Sequence, residues 1–228
     1  MSERPVLVFD VNETLLDLES LAPIFARIFG DGAAMREWFA QLVLYSQSLT
    51  IAGVGSDFAS LAGGVLQMLG DIRGVAIGDD DLAELRHGIG HMPAHDDAAD
   101  ALSLLRDRGF RMVTLTNSPP SDGPDGLTRA GLADYFEERF SVQPTGRFKP
   151  APETYRMVAE RLGCKVQDMC LVACHTWDTL GLQALGGHGA LVTHGANAPL
   201  PAPGVPQPVL CTTTLTQMAE AIADRWPD

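Results

Sequence analysis

The run Val6-Leu7-Val8-Phe9 is unbroken in its apolar character and ends at Asp10. A short run that is apolar on both faces suits a strand covered on both sides, as in the middle of a parallel sheet. Similar runs recur at 112–115, 169–173 and 190–193. Helical stretches separate them, at 98–108, 126–133, 153–162 and 180–185. This alternation predicts an α/β fold, a doubly wound parallel (Rossmann-like) sheet with crossover helices. The first interval is too long for one crossover. Leu21, Ile24, Phe25 and Ile28 fall at helical spacing, as do Trp38, Leu42 and Tyr45, and then Leu61, Val65, Met68 and Leu69. The pattern predicts an inserted helical cap domain at 16–94, placed over the end of the first strand. The α/β core domain then comprises 1–15 plus 95–228. Gly53, Gly55, Gly63 and Gly64 mark a turn and a close helix contact, with no phosphate role, because no strand leads into them. Residues 197–208 hold five prolines and must be extended. They lead to a last short strand near Val209 and a closing helix at 215–225.

Composition narrows the partners. The 228 residues, 46% of them hydrophobic, suffice for one α/β domain with an inserted unit. The net charge of -13 argues against nucleic acid and anionic membrane, which need a basic footprint. A small anionic substrate therefore needs a local cation or an amide-lined site. Cys164, Cys170, Cys174 and Cys211 form no Cys-x-x-Cys pair, and a chain of this length needs no disulfide staples. A metal site at Cys170, Cys174 and His175 is disfavoured, because the spacing resembles no usual zinc pattern. There is no signal-peptide layout and no apolar run of membrane-spanning length, so a reducing cytoplasm is expected.

In a doubly wound sheet, ligands bind beyond the carboxyl ends of the strands. Four such ends bring chemistry together: Asp10 after the first strand, Thr116-Asn117-Ser118 after the second, Lys149 before a crossover helix, and Cys174-His175-Thr176-Trp177-Asp178 after the next strand. A carboxylate held in line and kept ionised by a cation is a competent nucleophile. Lys149 is the candidate cation and can pair with Asp178 as well. Thr116 and Asn117 can donate to the nucleophile or to the leaving group.

Phe9-Asp10-Val11-Asn12-Glu13-Thr14-Leu15, Leu115-Thr116-Asn117, Lys149 and the segment from Val172 to Asp178 resemble, in that order, the four motifs of the haloacid dehalogenase superfamily. The resemblance spans nearly the whole chain, and the helical insertion is similar to the superfamily's smaller cap type. It is closest to the type II, L-2-haloacid dehalogenase-like members, through Lys149-Pro-Ala-Pro-Glu-Thr-Tyr155, Trp177-Asp178 and the cap segment from Trp38 to Ser46.

The resemblance implies hydrolytic dehalogenation of short 2-haloalkanoic acids through an aspartyl ester, giving 2-hydroxy acids. Asp10, Lys149, Asp178, Thr116 and His175 are the implied catalytic residues, with Asp178 and His175 serving the water step. Asn12, Asn117 and Ser118, with its neighbouring amides, would hold the substrate. Phe39, Trp38, Tyr45 and Trp177 would wall it off from water. No cofactor and no metal are implied. Superfamily phosphatases place magnesium-binding acids where this chain has Asn12 and Cys174, and magnesium prefers hard oxygen ligands. The alternatives are a phosphatase or phosphonatase-like hydrolase of the same superfamily, or a catalytically impaired homologue that binds small anions. Members of the group carry an arginine just after the cap tryptophan, where this chain has Phe39; Arg36 lies one turn earlier on the same helix. A homodimer is compatible with this reading.

Overall fold

Strand β1 (Val6–Phe9) is buried at every position. It lies inside a six-stranded sheet of order β3-β2-β1-β4-β5-β6, with β2 at Met112–Thr116, β3 at Glu138–Ser141, β4 at Met169–Ala173, β5 at His188–Val192 and β6 at Leu210–Thr212. Every neighbouring pair is parallel, and Phe9 is in register with Thr114 of β2 on one side and Val172 of β4 on the other. The computed structural model describes residues 4–227; residues 1–3 and 228, expected at the two ends of the core segment, lie outside the described residues.

The chain runs outward from β1 through β2 to β3, then returns to the other side for β4. The order of connection therefore reverses at β1, and the crevice at its carboxyl end opens between β2 and β4. Helices α5 (Ala98–Asp107) and α9 (Leu215–Arg225) pack on each other, as do α7 (Pro152–Leu162) and α8 (Thr176–Gln183). Right-handed crossovers place these two pairs on opposite faces of the sheet. Both faces are thus covered, which is why β1 and β4 carry apolar residues at every position. Each Val, Leu, Phe or Met side chain among them contributes about 1.5–3 kcal/mol on burial.

Three elements depart from the sequence expectation. Strand β3 was not foreseen: Glu-Arg-Phe-Ser buries only Phe140, as an edge strand can, and so lacks an apolar run. The helix expected at 126–133 is a single turn, α6 (Gly126–Arg129), followed by a 3-10 turn at Ala133–Tyr135. Helix α8 begins at Thr176 instead of 180, so Trp177 and Asp178 belong to its first turn. A polar helix start of this kind gives no hydrophobic period to read.

Four helices fill the insertion: α1 (Ala22–Phe29), α2 (Ala34–Ala52), α3 (Phe58–Arg73) and α4 (Asp79–Gly90). Phe25, Trp38, Leu42, Leu66 and Leu69 form their common core. Gly53 ends α2 in the left-handed region, at φ 72°. Gly63 faces α4, where a Cβ would come within 3.5 Å of the Leu82 side chain. The two passages between this unit and the sheet run side by side. Leu16 bridges Ala94, Asp17 N–H donates to Pro93 O at 2.8 Å, and His95 N–H donates to Leu15 O at 3.0 Å. A second tie is at Thr50 of α2, which accepts from Phe148 N–H at 3.0 Å through its hydroxyl and from Arg147 at 2.9 Å through its carbonyl. Among the described residues, no helix is long and apolar enough to cross a membrane.

Candidate active site

Asp10 is the first residue beyond β1 and is nearly buried. Its backbone N–H still donates to Val172 O of β4, at 3.0 Å, so the sheet itself fixes where the carboxylate starts. Lys149 Nζ donates to Asp10 Oδ1 at 2.8 Å, to Asp178 Oδ2 at 2.7 Å and to Leu115 O at 2.9 Å. All three ammonium protons are thereby used, and the side chain is 1% exposed. Burial opposes the charge on Lys149, but the two carboxylates outweigh it and hold its pKa above the ordinary lysine value. Thr14 Oγ1 donates to Asp10 Oδ2 at 2.7 Å and accepts Cys174 N–H at 3.0 Å. Each oxygen of Asp10 therefore has one fixed donor.

Asp178 takes a different place from the one expected. It is 0% exposed, with Oδ2 held by Lys149 and Oδ1 by the Tyr155 hydroxyl at 3.1 Å. Burial raises its pKa and Lys149 only partly offsets this. It does not line the cleft, so it holds Lys149 from behind and cannot meet a water above Asp10. Tyr155 also donates to Asp178 O at 3.0 Å; burial first, then Asp178, keeps it a phenol.

The cleft above Asp10 is walled by Phe39, Val43, Phe58 and Trp177, with Asn12, Thr116, Asn117 and His175 among its polar lining. Asn117 accepts Lys149 N–H through its amide oxygen at 2.9 Å, which turns its NH2 toward other acceptors. Asn12 Nδ2 donates to Ser118 Oγ at 3.2 Å, and Ser118 N–H is spent on Thr116 Oγ1 at 3.1 Å. The Ser118 amide is thus engaged inside its own turn and is not the free donor expected. Two other expectations are corrected. Trp38 is 1% exposed inside the helical cap, where it packs on Phe25 and donates to Ala62 O at 3.0 Å. Tyr45 is 39% exposed and away from the cleft lining. Of the cap aromatics named from the sequence, Phe39 alone reaches the cleft. Helical phase decides this: α2 turns Trp38 and Leu42 into the cap core, so Phe39 and Val43, one position on, face the sheet.

His175 sits between Phe39 and Trp177, with ring centroids 5.4 and 5.0 Å away. Its Nε2 is 2.8 Å from Glu13 Oε2, and its Nδ1 is 3.9 Å from Asp10 Oδ2. Burial would lower its pKa; the Cys174 sulfur and the Glu13 and Asp10 carboxylates raise it well above the ordinary histidine value. Glu13, which the sequence did not single out, is 3% exposed and adopts φ 67°. Burial opposes its ionisation, yet His175 and Arg36 bring its pKa down from 4.5 to about 2. Arg36 is therefore neither a free helix residue nor a cleft residue: its guanidinium binds Glu13 and Glu19. The sequence signal that was available is an acid three residues after Asp10, in a turn with no other use for a charge.

Asp10, Cys174 and His175 offer ligand atoms within 4.8 Å of one another. The set does not fit magnesium, since it provides one carboxylate whose oxygens are already held, one thiol and one imidazole. Burial also raises the Cys174 pKa, against the thiolate that metal ligation requires.

A doubly wound parallel sheet with a helical insertion after its first strand and a buried aspartate–lysine pair at its switch point defines a capped α/β protein with a preformed cleft site. The model of the haloacid dehalogenase-like hydrolases matches residues 5–186, and the chain belongs to that family. It is 28% identical over 182 residues to (S)-2-haloacid dehalogenase 1 of Pseudomonas sp. (strain CBS-3), covering 78% of this chain and 80% of that one. It is also 24% identical over 222 residues to the phosphoglycolate phosphatase of Vibrio parahaemolyticus, covering 96% of each. The fold matches that of the L-2-haloacid dehalogenase of Xanthobacter autotrophicus with chloropropionic acid covalently bound, at a TM-score of 0.86 and 23% identity, over 96% of this chain and 98% of that one.

Proposed function

We propose that this hydrolase is a 2-haloacid dehalogenase that works through an ester on Asp10. The observation that carries the reading is the setting of Asp10: its two oxygens pinned by Lys149 and Thr14, at the floor of a small, mostly apolar cleft. One Asp10 oxygen attacks the halogen-bearing carbon, the carbon–halogen bond breaks, and halide leaves with the electron pair. Water then attacks the Asp10 carbonyl carbon, the acyl–oxygen bond breaks, and the 2-hydroxy acid departs. Whichever oxygen forms the ester, the other keeps a donor, Lys149 on Oδ1 or Thr14 on Oδ2, for the oxyanion of this second step. The apolar walls exclude water and strengthen these interactions. Asn12 and Asn117 supply hydrogen bonds to the substrate carboxylate, and the charge of His175 complements it.

Phosphate esters are the less favoured substrates. Asn12 is not a general acid for a leaving alcohol, and the donor set above Asp10 does not suit the cation that a phosphoryl group needs. A screen of short chloro-, bromo- and fluoroacids for halide release, run beside phosphate esters with and without chelator, tests the assignment. Chelator-insensitive halide release is the expected result. Magnesium-dependent phosphate release without halide release would place the activity with the phosphatases.

A further inference from the structure

A second hollow adjoins the cleft, and Phe58 and Asn117 line both. Its far wall is made by Asp57 before α3, Val142 after β3, and Arg147 and Phe148 ahead of Lys149, so it lies where the helical cap meets the sheet. Phe58 packs on Phe148, with ring centroids 5.8 Å apart, and its ring is the partition between the two spaces. Asn117 stands beside that partition with its amide oxygen spent on Lys149 N–H. A group on the halogen-bearing carbon that outgrows the cleft has this hollow as its next space.

Charge distinguishes the hollow. Lys149 is committed to two buried carboxylates, and Arg36 to Glu13 and Glu19. Arg147 is half-buried and gives one N–H to the Thr50 carbonyl in the last turn of α2, at 2.9 Å. No carboxylate of the described residues pairs with it, so the rest of its planar fork of donors is available to a carboxylate. The opposing charge in the lining is Asp57. Its carboxylate caps α3 by accepting Ser60 N–H at 2.8 Å, and the bonds from Ser60 hold its pKa below the ordinary aspartate value.

We infer that this hollow is a side pocket for the far carboxylate of a 2-halo dicarboxylic acid, held by Arg147 while the halogen-bearing carbon stands over Asp10. The inference rests on the dehalogenase reading above and names its substrate class. The bonds made and broken are those of that reading: halide leaves, water opens the Asp10 ester, and a 2-hydroxy dicarboxylate departs. Arg147 touches only the end of the tail, so it selects the substrate and takes no part in the displacement. Because the tail must pass Phe58, a carboxylate two methylenes from the reacting carbon suits the pocket, and a methyl group in its place leaves the guanidinium without a partner.

Bromide release from 2-bromoglutarate and from 2-bromopentanoate, whose tails end in a carboxylate and in a methyl group, tests the pocket in wild type, Arg147→Gln, Arg147→Lys and Asp57→Asn. The readout is the ratio of kcat/KM for the diacid to that for the monoacid. In wild type the diacid should be preferred. Arg147→Gln should lower the ratio about tenfold, as the loss of a charged hydrogen-bond partner does, and chiefly through KM of the diacid. Arg147→Lys should recover part of it. Asp57→Asn, which can still cap α3, should raise the ratio about twofold or more. Arg147 also ties the cap to the sheet through Thr50, and a merely structural arginine would lower both substrates alike. A ratio unmoved by Arg147→Gln, or a wild type that prefers the monoacid, would therefore overturn the side pocket alone. If Arg147→Gln fails to fold, the wild-type ratio and its change in Asp57→Asn decide. Calorimetric titration with glutarate and with butanoate separates the pocket from the chemistry. Glutarate binding that depends on Arg147, with no halide released from either bromoacid, would overturn the dehalogenase reading and leave a dicarboxylate site. Neither halide release nor glutarate binding would overturn both.

Discussion

Replacing Lys149 by methionine keeps the length of the side chain and removes its charge and its three hydrogen bonds. Asp10 and Asp178 would then face each other across a nearly closed space with no cation between them. Breaking a buried pair by removing one partner costs about 3–5 kcal/mol, far above the roughly 0–1 kcal/mol of an exposed pair such as Arg111–Glu137. In a chain of this size each kcal/mol moves the melting temperature by about 2–4 °C, so Lys149→Met should melt roughly 6–20 °C lower. Two unpaired neighbouring carboxylates cannot both stay ionised, and one takes up a proton. The sign follows from linkage. A carboxyl group whose folded pKa is raised binds more protons folded than unfolded, so its state destabilises the fold increasingly as pH rises above the unfolded value. The gap in melting temperature between wild type and Lys149→Met should therefore widen from about pH 4 to pH 7. Lys149→Met with Asp178→Asn should recover most of the loss without recovering activity. Scanning calorimetry across that pH range reads both effects. A variant that melts within about 1 °C of wild type, or a gap independent of pH, would refute the claim that Lys149 offsets two buried charges.

Asp10→Asn, nearly isosteric, should fold with wild-type circular dichroism and lose turnover; residual activity above a few per cent, with deamidation excluded by mass, would remove Asp10 from the covalent role. Gly181→Ala places a methyl group against the Tyr155 hydroxyl and 2.7 Å from Pro150 Cβ. It should cost about 1–3 kcal/mol as an overpacked contact. It should also lower kcat by shifting Tyr155 from Asp178, whereas an unaltered kcat would show that Tyr155 does not position the lysine. The folded pKa of Glu13, about 2 against an ordinary 4.5, means that its contribution to stability is complete above about pH 4.5 and is lost as pH falls toward 2. Arg36→Ala should flatten that acid-side loss in urea titrations and leave KM for small haloacids little changed, because the guanidinium faces Glu13 and not the cleft. Equal acid slopes, or a large rise in KM, would return Arg36 to the substrate.

The hydrophobic pattern alone determined the parallel sheet, its helical insertion and the positions of Asp10, Thr116, Asn117 and His175 beyond strand ends, and it placed Lys149 ahead of a crossover helix. Strands buried on both faces must be apolar throughout, and a parallel sheet collects the ends of such strands on one side, whatever the details of packing. The tertiary structure decided the rest, because the rest depends on phase and on long-range contact. A one-position difference in helical phase puts Trp38 into the cap core and Phe39 over the cleft. Strand β3 stayed hidden because an edge strand with a single buried Phe140 carries no run to detect. Asp178 reads as a second strand-end acid in sequence, but α8 starts early enough to turn it behind Lys149. Glu13 shows in sequence only as an acid in the turn after Asp10: its charge acquires a use when residues 36, 175 and 197 arrive from three separate elements. Spacing along the chain fixes what one element presents, and the partners of a buried charge are fixed only where elements meet.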